Sequence, residues 1–288
     1  MVADNIGPGV DSDCESGLRS RVMKTVLAIA GSDPTGGAGL QADLQVIRLM
    51  GCHGMAVVSA LTVQDTTKVH SVLPVFPSVV LDQLRVLVRD VTPDAIKIGA
   101  LATDDVVRNV VLGLGGVPLE VPLVVDPILF ASDGTSLLER RAWPALQGLF
   151  ARSALVTPNL PEAEALSGED VSTQKGCERA ATAFLEEFEC KGVLIKGGHR
   201  EGAPDDLLGT RHGDKNVFSW LKGERIEGPE ASVHGTGCAL SSAIAAELAG
   251  GSALEIAVDR GRAFVARGIA GAHAIGAGAN LLGYPTSL

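Results

Sequence analysis

Two glycines and a cysteine precede a long apolar run near the end of the chain. Gly235 and Gly237 flank Thr236, Cys238 follows, and residues 239–249 are dense in alanine, leucine and isoleucine. This composition predicts a buried helix whose first turn contains both glycines. The first amides of a helix have no partner within it and lie at the positive end of its dipole. Glycines let an anion approach these amides, so the segment indicates a phosphate-binding turn.

Cys238 shares this turn, where a thiol is expected to lose its proton more easily. The hypothesis is therefore a proton acceptor placed beside a phosphate site. A helix that merely begins with Gly-Thr-Gly and packs a cysteine inward is the alternative, because short glycine motifs alone are weak signals.

A second glycine-rich segment, residues 31–39, follows the first predicted strand. It has neither the G-K-[ST] ending of a P-loop nor the G-x-G-x-x-G spacing of a dinucleotide loop. We interpret it as a bend that brings backbone against a small flat ligand. Asp43, in the helix that follows, is placed to pair with hydroxyl or ring-nitrogen groups; a solvated helix residue is the alternative.

Four polar side chains, Asp126, Asn159, Glu162 and Lys196, each follow a predicted strand. Active-site side chains gather at strand ends in α/β sheets. The spacing of Asn159 and Glu162 suits one magnesium ion or its waters, but it equally suits an N-cap closed by a capping box. Lys196 precedes two glycines, which indicates passing nucleotide phosphates or an ordinary turn.

Composition restricts the partners. The 288 residues are 46% hydrophobic and 20% charged, enough for a sizeable core, and the net charge of -10 argues against nucleic acid or an anionic membrane. The apolar stretches 238–250 and 264–280 are too short or too interrupted to span a bilayer. Five scattered cysteines without a C-x-x-C pair favour a reducing, cytoplasmic location over a disulfide framework or a zinc site.

Short apolar runs alternate with helical patterns, which predicts a parallel sheet with helices on both sides. Strands are expected at 25–30, 54–61, 95–98, 123–125, 154–157 and 193–195, and helices at 38–50, 78–90, 103–113, 138–150 and 174–188. Residues 54–76 suggest a flap of two strands around a turn at 64–68. A hairpin (205–226) and two helices complete the pattern. Residues 1–23 are predicted to be a disordered tail, and 24–288 a single domain.

Seven segments occur in a recognisable order. They are GSDPTGGAGLQAD (31–43), ALTVQ (60–64), KIG (97–99), VDP (125–127), TPNLPEAE (157–164), IKGGH (195–199) and HGTGC (234–238). Together they closely resemble the hydroxymethylpyrimidine/phosphomethylpyrimidine kinases of thiamine biosynthesis, in the ribokinase-like superfamily. The resemblance covers residues 25 to about 275.

The resemblance implies a Rossmann-like three-layer α/β/α sandwich with a mostly parallel central sheet and a small β flap, assembled as a homodimer. It implies ATP-dependent phosphorylation of a small aminopyrimidine alcohol, and then of its monophosphate, with Mg²⁺. The resemblance implies an anion hole and catalytic group at Gly235, Thr236, Gly237 and Cys238, and pyrimidine binding by Gly31, Ala38, Asp43 and Gln64. It implies ATP binding by Thr157, Lys196, Gly235 and Gly237. It implies a magnesium site at Asp126, Asn159 and Glu162.

Three positions depart from the family pattern. Ala100 stands where methionine is common, Ser132 replaces a frequent lysine, and Ser232 with Val233 replaces a more usual Asp-Thr or Asn-Thr. Two other functions stay open: a pyridoxal kinase on the same scaffold, and a non-catalytic sensor of thiamine precursors. Gln64 favours the pyrimidine.

Overall fold

The computed structural model describes residues 23–199, 202–226 and 233–284. The predicted tail lies outside the described residues except for Met23, and so does Ser232.

The described chain alternates strands and helices. The strands are β1 (Thr25–Ser32), β2 (His53–Gln64), β3 (Val69–Pro74), β4 (Ala95–Ile98), β5 (Leu123–Val125), β6 (Leu155–Val156), β7 (Gly192–Ile195), β8 (Asp206–His212), β9 (Lys215–Leu221), β10 (Val233–His234) and β11 (Asn280–Leu281). The helices are α1 (Gly39–Leu49), α2 (Pro77–Asp90), α3 (Asp104–Leu114), α4 (Trp143–Phe150), α5 (Leu160–Ser167), α6 (Gln174–Glu186), α7 (Thr236–Ala249) and α8 (Leu254–Ala270).

Nine strands form one sheet in the order β3-β2-β1-β4-β5-β6-β7-β8-β9. The six strands from β2 to β7 in this order run parallel, whereas β3, β8 and β9 pair antiparallel at the two edges. The mostly parallel sheet is therefore confirmed, and β8 with β9 forms the predicted hairpin.

Side chains of β1 alternate between two hydrophobic cores because successive residues of a strand point to opposite faces. Leu27 and Ile29 pack in one core, which also contains residues of α2, α3, α4 and α6. Val26 and Ala28 pack in the other, with residues of α1, α7 and α8. Helices thus cover both faces, which confirms the three-layer α/β/α arrangement.

The order of the sheet also places the site. The chain passes from β1 outward to β2 on one side and then returns to β4 on the other, so the strand order reverses between β1 and β4. Ligands of such sheets bind in the crevice outside the carboxyl ends of the strands at a reversal of this kind.

The predicted flap is present at one edge of the sheet. The end of β2 pairs with β3 from Ala60 opposite Pro74 to Gln64 opposite Val69. This ribbon continues beyond Ser32, the last residue of β1 in the pairing. Its turn is anchored by Thr66, whose carbonyl oxygen accepts a hydrogen bond from the Ala279 amide at 2.8 Å. The flap therefore stands over the carboxyl-end edge of the sheet.

Two features differ from the sequence prediction. The helix expected at 138–150 begins only at Trp143, after a short 3-10 turn at Arg140–Ala142, and a proline lies in its first turn. Proline is tolerated at that position because its missing N–H has no helical acceptor there. The ribbon of β10 and β11 was not predicted, because two-residue strands carry no periodic signal. Among the described residues, no helix is long and apolar enough to cross a membrane.

Candidate functional site

The first turn of α7 is the candidate anion site. Gly235 precedes the helix in a left-handed conformation (φ 80°), and a Cβ at this position would overlap the carbonyl oxygen of Gly37. Only glycine meets both conditions without strain. Glycine has no side chain to cap the helix, so the first amides, from half-buried Thr236 onward, are left for a ligand. The predicted helix start is confirmed, with Gly237 in the first turn and Gly235 as the N-cap just before it.

A largely buried ion pair lies against this turn. Lys196 Nζ donates to Asp126 Oδ1 at 2.8 Å, and Thr157 Oγ1 donates to the same oxygen at 3.1 Å. A Cβ on Gly237 would lie 3.2 Å from the Lys196 ammonium and 3.5 Å from Asp126 Oδ2. Burial alone would lower the pKa of Lys196, but Asp126 and Glu162 outweigh it, and the pKa is raised. The lysine therefore stays charged beside the amides of α7.

Asn159 and Glu162 form the capping box of α5. Asn159 Oδ1 accepts from the Glu162 amide, and a Glu162 carboxylate oxygen accepts from the Asn159 amide, both at 2.8 Å. The capping interpretation is thus confirmed. Glu162 is also 3% exposed, and burial raises its pKa to about 7, with Lys196 acting in the opposite direction.

The same residues supply oxygen donors of the kind magnesium prefers. In the part of the chain that the structure describes, no three His, Cys, Asp or Glu side chains are grouped to hold a metal directly. Asp126, just after β5, and Glu162, in the first turn of α5, are two buried carboxylates, and each already accepts protein hydrogen bonds. This donor set fits a hydrated Mg²⁺, which commonly keeps several of its waters.

Cys238 is 7% exposed in the first turn of α7. Burial raises the pKa of its thiol to about 11, although Lys97 and the Gly39 amide act in the opposite direction. The expectation that this thiol loses its proton more easily was wrong, because desolvation of the thiolate outweighs the position at a helix start.

Asp43 lies beneath this turn rather than at the surface. Lys97 Nζ donates to both Asp43 oxygens at 2.8 Å, and Ser242 Oγ of α7 donates to one of them at 2.8 Å. Both charged side chains are fully buried. The alternative of a solvated helix residue was therefore wrong, and the carboxylate is directed to protein groups. A role as a direct pyrimidine ligand stays a prediction.

The charge of Lys97 in this pair is set by its partner. Burial alone would lower the pKa of the Lys97 ammonium, but Asp43, with smaller contributions from Cys238 and Asp126, outweighs burial and the pKa is raised. The motif at 97–99 was noted without a role for its lysine. The available signal was a charged residue within the otherwise apolar strand AIKI.

The other three predicted pyrimidine residues lie at the two ends of the glycine-rich loop and in the flap. Gly31 ends the buried part of β1 beside Ala60 and Ala100, Ala38 is the N-cap of α1, and Gln64 ends β2 in the flap. The residue that sequence reasoning missed is Asp33, between them. Burial alone would raise the pKa of its carboxyl, but hydrogen bonds, with His234 the largest contributor, outweigh burial and lower the pKa.

Comparisons with known proteins agree with this arrangement. A family model described as phosphomethylpyrimidine kinase matches residues 33–283. A hydroxymethylpyrimidine/phosphomethylpyrimidine kinase of Staphylococcus aureus (strain MRSA252) is 37% identical over 258 residues, covering 88% of this chain and 91% of that protein. A thiamine biosynthesis bifunctional protein of Geobacter sulfurreducens is also 37% identical, over 88% of this chain but 51% of its own length.

Solved structures show the same fold. The crystal structure of a phosphomethylpyrimidine kinase from Clostridium difficile 630 has a TM-score of 0.73 at 33% identity, over 84% of this chain and 97% of that one. A Staphylococcus aureus pyridoxal kinase in complex with ADP has a TM-score of 0.79 at 29% identity, over 91% and 93%. Because the family model matches residues 33–283, most of the described chain, this chain belongs to the phosphomethylpyrimidine kinase family.

Proposed function

We propose that the chain transfers the γ-phosphoryl group of ATP to the hydroxymethyl group of 4-amino-5-hydroxymethyl-2-methylpyrimidine, and then phosphorylates the monophosphate to the diphosphate. The observation that carries this proposal is the open first turn of α7, with Gly237 against the charged Lys196–Asp126 pair. The names of the similar proteins support the substrate. We place this activity in a single domain, 24–288, acting in the cytoplasm.

The proposed chemistry is in-line transfer, which depends mainly on positioning and on neutralising charge. The amides of Gly235, Thr236 and Gly237 would hold the transferring group, and the Lys196 ammonium would neutralise its charge. Thr157 would stand near the nucleotide while it fixes Asp126. Asp126, Asn159 and Glu162 would hold hydrated Mg²⁺, which neutralises phosphate oxygens when bound.

At the other end of the site, Gly31, Ala38 and Gln64 would bind the pyrimidine ring. A carboxamide offers both a donor and an acceptor, as an aminopyrimidine requires. The flap that carries Gln64 stands over the strand ends and would exclude water from the transfer. Asp43, the fourth proposed pyrimidine residue, would contribute to pyrimidine binding while it is held by Lys97 and Ser242.

Pyridoxal is the competing substrate, since pyridoxal kinases from Bacillus subtilis and Staphylococcus aureus match this fold with TM-scores of 0.78 and 0.79. The decisive experiment lets the pyrimidine alcohol and pyridoxal compete for limiting ATP and magnesium. We expect the pyrimidine phosphates to dominate the products. A predominance of pyridoxal phosphate would retain the mechanism and replace the substrate.

Cys238 is proposed as the group that accepts the proton of the alcohol. Because burial raises its pKa to about 11, the thiolate fraction, and with it kcat, is expected to rise about tenfold per pH unit from pH 7 to 9. Cys238→Ser is expected to be about 100-fold slower or more at pH 8 and to lose this rise, since general bases contribute at least that much. Steady-state kcat of the wild type and of Cys238→Ser at three pH values measures the pH dependence and the loss of rate. Wild-type activity in the serine variant would remove the thiol from this role.

We also propose a homodimer that buries the outer surface of the flap. Leu61, Val63, Leu73 and Phe76 are 50–79% exposed there, and Leu61 and Leu73 are cross-strand partners. Exposed apolar side chains on an edge strand favour association. Light scattering after size exclusion is expected to give a dimer for the wild type and a monomer for Leu73→Lys. Val217→Lys, on the opposite edge strand β9, is the control and should stay dimeric; a monomeric wild type would contradict the proposal.

A further inference from the structure

The carboxylate of Asp33 organises the glycine-rich loop from within. It is 2% exposed and accepts hydrogen bonds from the amides of Thr35 and Ala38, both at 2.8 Å, and from Thr35 Oγ1 at 2.9 Å. Its own amide donates to Gln41 Oε1 at 2.9 Å. These bonds fix the backbone between Gly31 and Ala38, the segment that faces the proposed pyrimidine position. An amide in place of the carboxylate would direct an NH₂ group at donors, because only an ionised carboxylate accepts on every side.

The same carboxylate reaches the other half of the site. His234 Nε2 lies 3.2 Å from Asp33 Oδ2, across 201 positions of sequence. Because the carboxylate carries no proton, the His234 ring must donate from Nε2. His234 immediately precedes Gly235, the residue before the candidate anion site. This bond therefore joins that site to the glycine-rich loop of residues 31–39, which we call the substrate loop.

Close packing accompanies this bond. The loop contacts Gly235 directly, since a Cβ on Gly235 would overlap the Gly37 carbonyl oxygen. A Cβ on Gly37 would in turn lie 3.0 Å from the His234 ring. The two glycine segments therefore meet backbone to backbone, and Asp33 with His234 forms a side-chain hydrogen bond across that contact.

We propose that Asp33 is a positioning residue that fixes the position of the substrate loop relative to the anion site. It does so through its hydrogen bond to His234, which is covalently joined to Gly235. The inference rests on the proposed phosphotransfer. Its chemical consequence is alignment: the acceptor hydroxyl bound by the loop is kept in line with the phosphoryl group held by α7. Displacements of about 1 Å between reacting groups can cost about 100-fold in rate.

The test compares His234→Phe, His234→Gln and Asp33→Asn with the wild type, using steady-state kinetics for the pyrimidine alcohol and for ATP. His234→Phe removes the link but leaves the bonds within the loop, so we expect kcat to fall about 10- to 100-fold while both KM values stay nearly unchanged. Glutamine can donate from a similar position, and His234→Gln is expected to recover most of kcat. Asp33→Asn also loosens the loop, so we expect its kcat to fall and its KM for the pyrimidine to rise.

His212→Phe is the matched control, because His212 is exposed on β8, and its ring lies 3.2 Å from Thr210 on the same strand. It should match the wild type, and all variants are checked by thermal unfolding. If the folded fraction of His234→Phe accounted for its whole loss of kcat, the positioning role would be overturned. Wild-type kcat in His234→Phe would overturn it too. An inactive wild type would instead reject the proposed function.

Discussion

Replacing Lys196 with methionine is expected to lower kcat by about 100- to 1,000-fold, the range found when one preorganised electrostatic contact to a transition state is removed. The ammonium lies where a Cβ on Gly237 would be only 3.2 Å away, so it faces the same space as the amides of α7. The negative charge on the transferring phosphoryl group would therefore interact with both the ammonium and the amides. The KM for the pyrimidine should change little, because the substrate loop does not contact this lysine in the proposed arrangement.

Lys191→Met is the matched control. Lys191 is exposed just before β7 begins, whereas Lys196 follows the end of the same strand, so the two lysines lie at opposite ends of it. Lys196→Arg retains the charge and is expected to keep part of the activity. Initial rates at saturating substrate give kcat for each variant. If Lys196→Met stayed within a few-fold of the wild type, the ion pair would have no part in the transfer.

Replacing Lys97 with methionine is expected to destabilise the fold by about 3–5 kcal/mol, the usual cost of leaving one partner of a buried ion pair uncompensated. Neither Lys97 nor Asp43 is exposed to solvent, and both carboxylate oxygens accept from the one ammonium. Asp43→Asn combined with Lys97→Met removes both charges and lets the asparagine oxygen keep its bond from Ser242. We therefore expect the double variant to recover a substantial part of the lost free energy of unfolding.

Urea unfolding followed by circular dichroism measures this free energy. Lys24→Met is the control, since Lys24 pairs with Asp94 at 2.7 Å but is half exposed, and exposed pairs contribute about 1 kcal/mol or less. Equal effects at Lys24 and Lys97 would contradict the structural role. A stable but inactive double variant would show that the Asp43–Lys97 pair contributes to activity beyond stabilising the fold.

The fold was largely predictable because its signals are local. Continuous apolar runs such as AIKI in β4 mark strands buried on both faces, and the helical spacing between them predicts the covering helices. The late start of α4 was missed because helical spacing of apolar residues continues through the turn before Trp143. The signal for the true start is the proline in the first turn of α4. The ribbon of β10 and β11 is formed by contacts distant in sequence, so no window contains it.

The site was predictable to a lesser degree. The glycine turn at Gly235 and the strand-end residues carry motifs, whereas the partners of Asp33 and Asp43 come from other elements. Asp33 meets His234 and Asp43 meets Lys97 only after the chain has folded. The thiol of Cys238 shows the same limit, because its pKa depends on burial by residues that the motif does not contain.

The most direct test of the central claim is product formation by the wild-type protein. Purified chain is incubated with magnesium, ATP and the hydroxymethylpyrimidine, and products are followed by mass at enzyme concentrations far below substrate. We expect the monophosphate to appear first and the diphosphate to follow over many turnovers, with neither formed when ATP is omitted. Ligand binding without any phosphorylated pyrimidine, and without phosphorylated pyridoxal in a parallel reaction, would contradict the assignment and identify the chain as a sensor.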